Sequence, residues 1–203
     1  MTRTNHHDPN YQNGDFDLSY HLEMISDPER VSKSKAAIDA SIFPDAVFCE
    51  LGCGTGIFSI YAAKKCKKVY AIEYDKKMME IAKKNGVLDK IEFILADAIN
   101  VKLPEKVDVV YCEMMSIWLI AEPQVIVMNN ILQFLNKKAT VIPNKVVNLV
   151  QVANTDYVHD GIEIKTSIAE FSGIKAARVA TESKVVNTIN LKKTNPVDIK
   201  KNN

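Results

Sequence analysis

The chain has no apolar run approaching the ~20 residues that a bilayer-spanning helix needs. Its N-terminus, Met1-Thr2-Arg3-Thr4-Asn5-His6-His7, carries no apolar signal segment. Charge of one sign is not in surplus: 26 Lys and Arg oppose 25 Asp and Glu, for a net charge of +1. That balance argues neither for a nucleic-acid or membrane partner nor against a local patch. Cysteine occurs four times, at 49, 53, 66 and 112, with no CxxC pair. These read as reduced, mostly buried thiols of a cytoplasmic protein. There is no internal repeat, and the only tryptophan is Trp118. What remains is ordinary for a globular protein: 203 residues, 47% hydrophobic and 25% charged. That is enough for one domain, or for one domain with a small annex.

Residues 1–14 are polar and read as a loose tail. His6 and His7 lack further ligands at a metal-site spacing, so no metal is expected. From Phe16 to about Ile42 the pattern is helical, with Asp27 as a cap and Pro28 in the first turn. Short apolar runs then alternate with amphipathic helices. Strands are expected at 46–51, 68–73, 90–95, 107–112 and 139–142, with helices at 57–65, 75–85 and 123–135. Gly86 is placed to stop the second of these helices. Such alternation means βαβ units and a mostly parallel sheet, an α/β fold. After Pro143, β-branched residues dominate 145–153, 162–164 and 185–191, which suggests a small β annex, and the last ten residues read as a solvated tail. The expected divisions are 1–44, 45–143 and 144–203.

Glu50-Leu51-Gly52-Cys53-Gly54-Thr55-Gly56 follows the first strand and opens a helix. Glycines allow a tight turn and let a ligand approach bare backbone near the free N–H groups of a helix start. A P-loop would end in Gly-Lys-Ser/Thr, which is absent, and the spacing is GxGxG where a dinucleotide fingerprint reads GxGxxG. Glu73 ends the second strand, where an acid can accept both hydroxyls of a ribose. Together these residues resemble the signature of class I S-adenosylmethionine-dependent methyltransferases. The resemblance covers about residues 45–143 and implies a Rossmann-like sheet of the seven-stranded methyltransferase type. It also implies S-adenosylmethionine as cofactor and S-adenosylhomocysteine as product. Glu50, Gly52, Cys53, Gly54, Thr55 and Gly56 would carry its amino-acid part. Glu73, with Tyr74 beside it, would hold the ribose, and Asp97-Ala98 would meet the adenine. A helix cap is the plainer reading of Asp97.

After the fourth strand, Glu113 and Glu122 stand nine residues apart in a loop otherwise apolar save for Ser116. Two carboxylates suit a planar, five-donor guanidinium and would concentrate its charge away from the nitrogen that attacks. The plainer alternative is a strand end and a helix cap. The segment resembles the double-glutamate loop of protein arginine methyltransferases, in which Glu113, Met115 and Glu122 match. The family's Trp, Gly and Tyr are Met114, Ser116 and Ile117 here. By that resemblance Glu113 and Glu122 are catalytic, and Glu113 also borders the cofactor. Upstream, His21-Leu22-Glu23-Met24-Ile25-Ser26-Asp27 and Arg30 resemble the family's helix that folds over the cofactor. Arg30 would then pair with the cofactor's carboxylate, and Met24 would line the pocket. The family's Thr-His-Trp loop is absent, and the C-terminal part is expected to be compact or truncated. The resemblance implies an N-methyltransferase with a protein substrate, and the lack of a long apolar run leads us to expect no membrane partner. RNA or a small molecule is the alternative acceptor, and Tyr61, Tyr70 and Tyr157 are its candidate stacking residues.

Overall fold

A computed structural model describes residues 18–86, 89–119, 122–154, 157–159, 161–164 and 178–197. The expected tail at 1–14, with His6 and His7, lies outside these residues. Two helices come first, α1 (Leu18–Ser26) and α2 (Pro28–Asp39). Asp27 caps α2 by accepting the N–H of Glu29 at 2.9 Å and of Arg30 at 3.2 Å. The sheet unit follows as β1 (Val47–Leu51), α3 (Ile57–Ala63), β2 (Lys68–Glu73), α4 (Lys76–Asn85), β3 (Ile91–Leu95), β4 (Val107–Cys112), α5 (Gln124–Ile131) and β5 (Leu135–Ile142). Asp75 caps α4 through the Met78 N–H, and Gly86 ends it.

These strands form one parallel sheet in the order β3-β2-β1-β4-β5, five strands among the described residues. The chain runs outward from β1 to β3, then crosses back to place β4 on the other side of β1. Ligands bind such sheets at the carboxyl ends of the strands beside that reversal. Every residue of β1 is buried, as a central strand covered on both faces requires. Phe48, Val69 and Val109 share a core cluster with Ile38 of α2 and Phe58 and Ala62 of α3. All four cysteines are buried and none is in a disulfide.

One expected boundary is corrected. A single helix was expected over 123–135, but α5 stops at Ile131. A 3₁₀ turn covers Leu132–Phe134, and β5 begins at Leu135, four residues before the expected strand. Leu135-Asn136-Lys137-Lys138 has acceptable helix formers, yet the edge of β4 is open to pairing. Val107 pairs with Leu135, and Asp108 accepts the Asn136 side-chain amide at 2.6 Å.

The chain divides into two compact units, Met1–Asn144 with Leu191–Asn203, and Lys145–Asn190. In the second, β6 (Lys145–Val150) pairs antiparallel with β11 (Lys184–Asn190). Shorter pairs join β7 (Ala153–Asn154) to β10 (Arg178–Val179) and β8 (Tyr157–His159) to β9 (Ile162–Ile164). In the first unit, Leu191 is fully buried, and Asn195 exchanges two hydrogen bonds with Asn129 of α5. Part of the stretch expected to be a solvated tail is therefore anchored. Among the described residues no helix is long and apolar enough to cross a membrane.

Candidate cofactor and acceptor site

Strand register lines up the candidate residues. Leu51 of β1 is paired with Ile72 of β2 on one side and with Cys112 of β4 on the other. Gly52 and Glu113, the residues after β1 and β4, therefore stand in one row with Glu73, the last residue of β2, at the carboxyl edge of the sheet. Leu95 of β3 pairs with Glu73, so Asp97 and Ala98 follow at the same edge.

Gly52, Gly54 and Gly56 have φ of 70°, 53° and 81°, a region that side chains with a Cβ rarely adopt. A Cβ would also collide at two of them. It would lie 2.5 Å from Met114 Cε at Gly52 and 2.5 Å from His21 Cε1 at Gly54. The loop is strapped down by the Cys53 N–H to Ile72 O at 2.9 Å and the Gly56 N–H to Cys53 O at 2.8 Å.

The buried Glu73 carboxylate faces this loop. One oxygen accepts the Gly54 N–H at 2.8 Å, and the other accepts the N–H groups of Tyr74 and Asp75, each at 2.9 Å. Burial raises its pKa in spite of these bonds. Glu50, buried on β1, accepts a hydrogen bond from the Ser59 hydroxyl. Burial pushes its pKa up to about 8, with the Glu73 charge adding to the rise. A carboxyl protonated more readily when folded stabilises the fold fully below its unfolded pKa, near 4.5 here, and that contribution is lost as pH approaches 8. The slope reaches about 1.4 kcal/mol per pH unit. Melting of the cofactor-free protein between pH 5 and 8 should therefore show a smaller stability loss in Glu50→Gln than in wild type. Equal slopes would place Glu50 in an ordinary environment.

The N-terminal helices reach the same edge. His21 Nε2 lies 2.9 Å from the Thr55 hydroxyl and 3.4 Å from the Thr55 N–H, so α1 covers the glycine loop. Burial lowers the His21 pKa, and the nearby Arg30 charge lowers it further. Met24 is half-buried on α1. Arg30 forms an ion pair with Glu113. The structure thus brings together Arg30 and Glu113, which were assigned separate partners. Ser116 Oγ accepts the Glu122 N–H at 3.1 Å and closes the loop between the two glutamates. Asp97 accepts the Ile99 N–H at 2.9 Å within a turn, not at the start of the helix that the plainer reading expected, and Ala98 is buried beside it. Tyr74 is half-exposed next to Glu73.

The candidate stacking residues lie elsewhere. The Tyr61 ring has Lys65 at 4.1 Å and Lys35 at 5.2 Å, and its hydroxyl donates to Asp39 at 2.6 Å. Tyr70 is buried, with Lys68 at 4.6 Å. Lys65 and Lys68 fall between α3 and the start of β2, at the amino ends of the strands and away from the glycine loop. The Tyr157 side chain lies outside the described residues.

Sequence reasoning missed Gln124. It is fully buried at the first position of α5 and bonds to the backbone on both sides of Glu113. The signal was an amide opening an otherwise apolar stretch, Val125-Ile126-Val127-Met128.

The methyltransferase-domain family matches residues 49–142. The chain carries a methyltransferase domain of the class I, S-adenosylmethionine-dependent kind. S-Adenosylmethionine is the cofactor of that class. An uncharacterized protein of Methanocaldococcus jannaschii, MJ1452, is 36% identical over 188 residues, which are 90% of this chain and 69% of that protein. Protein arginine N-methyltransferase 1 of Oryza sativa subsp. japonica is 28% identical over 205 residues, 88% of this chain and 52% of that protein. The chain thus spans about half the length of this methyltransferase. The Trypanosoma brucei PRMT1 enzyme-prozyme complex with AdoHcy is a structural neighbour with a TM-score of 0.71. It is 20% identical and is matched over 88% of this chain and 64% of that one, a likeness of fold.

Proposed function

We propose that this methyltransferase transfers the methyl group to a guanidinium nitrogen, that of arginine in a protein, through Glu113 and Glu122. The observation that most supports this reading is the pairing of Glu113 with a guanidinium, that of Arg30, beside the glycine loop. A carboxylate whose position suits one guanidinium suits another. The arginine methyltransferase among the relatives points the same way.

The site residues also fit the cofactor. The bare backbone of Gly52, Gly54 and Gly56, all at positive φ, suits close approach of its amino-acid part. The Glu73 carboxylate accepts hydrogen bonds only and suits ribose hydroxyls. The Arg30 guanidinium suits the cofactor's carboxylate and, being bound to Glu113, couples the two halves of the site. Tyr74, Ala98 and Met24 border the remaining surface. When bound, S-adenosylmethionine supplies an electrophilic methyl on sulfur. Glu113 and Glu122 hold the acceptor and draw its positive charge toward themselves, which leaves the far nitrogen the better nucleophile. Positioning of the two reactants supplies much of the acceleration.

The test is transfer of a labelled methyl from S-adenosylmethionine into cell extract. Label recovered in protein and released on hydrolysis as methylarginine is the expected result. Label in ribonuclease-sensitive or small-molecule fractions would overturn arginine as the acceptor.

A further inference from the structure

We infer that Gln124 is a positioning residue for Glu113, holding the acceptor carboxylate at the working end of β4. As a statement about catalysis, this rests on the proposed role of Glu113. As a statement about the loop, it stands on geometry alone.

Glu113 is the first residue beyond β4, where no ladder partner fixes its backbone. Gln124 supplies the missing restraint from the neighbouring helix. Its Nε2 donates to the Cys112 carbonyl at 2.7 Å, and its Oε1 accepts the Met114 N–H at 2.7 Å. The Cys112 thiol also lies 3.6 Å from Oε1. The residues on either side of Glu113 are thus clamped by one amide. Neither end of the amide can be exchanged, because the carbonyl needs a donor and the N–H needs an acceptor. Gln124 is fully buried, and its neighbours on the buried side of α5 are Val127, Met128 and Ile131. Packing alone would be served by an apolar residue of the same size. A buried amide earns its place by the bonds it makes.

The clamp divides the work on Glu113. Arg30 holds the carboxylate, Gln124 holds the backbone, and Ser116 ties the far end of the loop to Glu122. Met114, bonded to Gln124, is the same residue whose methyl a Cβ at Gly52 would strike. The restraint therefore also keeps Met114 against the glycine loop.

The test uses the whole chain with Gln124→Met and Gln124→Glu. Met keeps the bulk and loses both bonds. A protonated Glu keeps both, because its O–H faces the Cys112 carbonyl and its C=O faces the Met114 N–H. An ionised Glu loses the donor and adds charge near the Cys112 thiol, Glu113 with its partner Arg30, and Glu122. Two readouts are taken: methyl transfer to an arginine peptide, and acrylamide quenching of Trp118, the only tryptophan, which lies in the loop between the two glutamates. In Gln124→Met, kcat should fall about 10- to 100-fold, the range that misplacement of a reacting group costs. The cofactor Kd should stay within about threefold, and Trp118 should become more accessible to quencher. In Gln124→Glu, the ratio of variant to wild-type kcat should rise as pH falls, and the quenching should return toward wild type. Unchanged kcat and quenching in Gln124→Met would overturn the inference. So would a parallel loss of Tm, cofactor affinity and kcat that Gln124→Glu fails to rescue at low pH. If wild type itself methylates no arginine peptide, the guanidinium reading fails. The loop restraint is then judged by Trp118 alone: loosening in Gln124→Met sustains it, and none refutes it.

Discussion

Glu113→Gln is expected to lower methyl transfer by about 100-fold or more, a loss comparable to that of one preorganised electrostatic contact to the reacting centre. The amide keeps the size of the side chain and one acceptor oxygen but lacks the charge that a guanidinium requires. Arg30, which forms its ion pair with Glu113, would lose that counter-ion but keep its place on α2. Cofactor affinity should therefore remain within about threefold, since uniform loss of binding and loss of turnover are separable effects. Equilibrium binding of S-adenosylhomocysteine together with single-turnover transfer separates the two. If binding collapses with the reaction, Glu113 serves the cofactor and its role toward the acceptor is wrong.

Gly54→Arg should do the opposite and remove cofactor binding, by more than about 100-fold, before any chemistry is reached. Three effects converge there. The backbone sits at φ 53°, and the new Cβ would lie 2.5 Å from the His21 ring. The Gly54 N–H to Glu73 is also disturbed. Gly161→Ala is the control. It lies in the second unit at φ 79° with nothing within 4 Å of its Cβ, so it carries the backbone strain without the collision. The control should bind cofactor as wild type does. Undiminished affinity in Gly54→Arg would remove the loop from the cofactor site.

Local chemistry made much of this fold legible in the sequence. Asp27 and Pro28 mark the start of α2, and Gly86 ends α4, because caps and stops act over one or two residues. The bounds of β2 and β4 follow from short apolar runs between polar turns. Leu135 misled for a physical reason: its own propensity permits helix, while the open edge of β4 holds it as strand and extends that strand back through Asn136 to Lys138. The glycine loop and Glu73 were legible because the register between β1 and β2 follows from the fold class. Arg30 was singled out through resemblance for a role toward the cofactor, but its ion pair with Glu113 was not foreseen, because the two stand 83 residues apart. Gln124 escaped altogether. A buried amide reads like any surface glutamine until the carbonyl and N–H it satisfies are in view.

The chain leaves the first unit after Asn144 and rejoins it at Leu191, whose N–H donates to the Asn144 carbonyl at 2.9 Å. Departure and return are thus side by side, so everything between them is an insertion whose ends the host already holds together. Closing that gap with a short turn would cost little chain entropy. No strand of the parallel sheet would be cut, and the anchors at Leu191 and Asn195 would remain. Such a junction lets the inserted portion be lengthened, exchanged or pruned while the parallel sheet keeps its own packing.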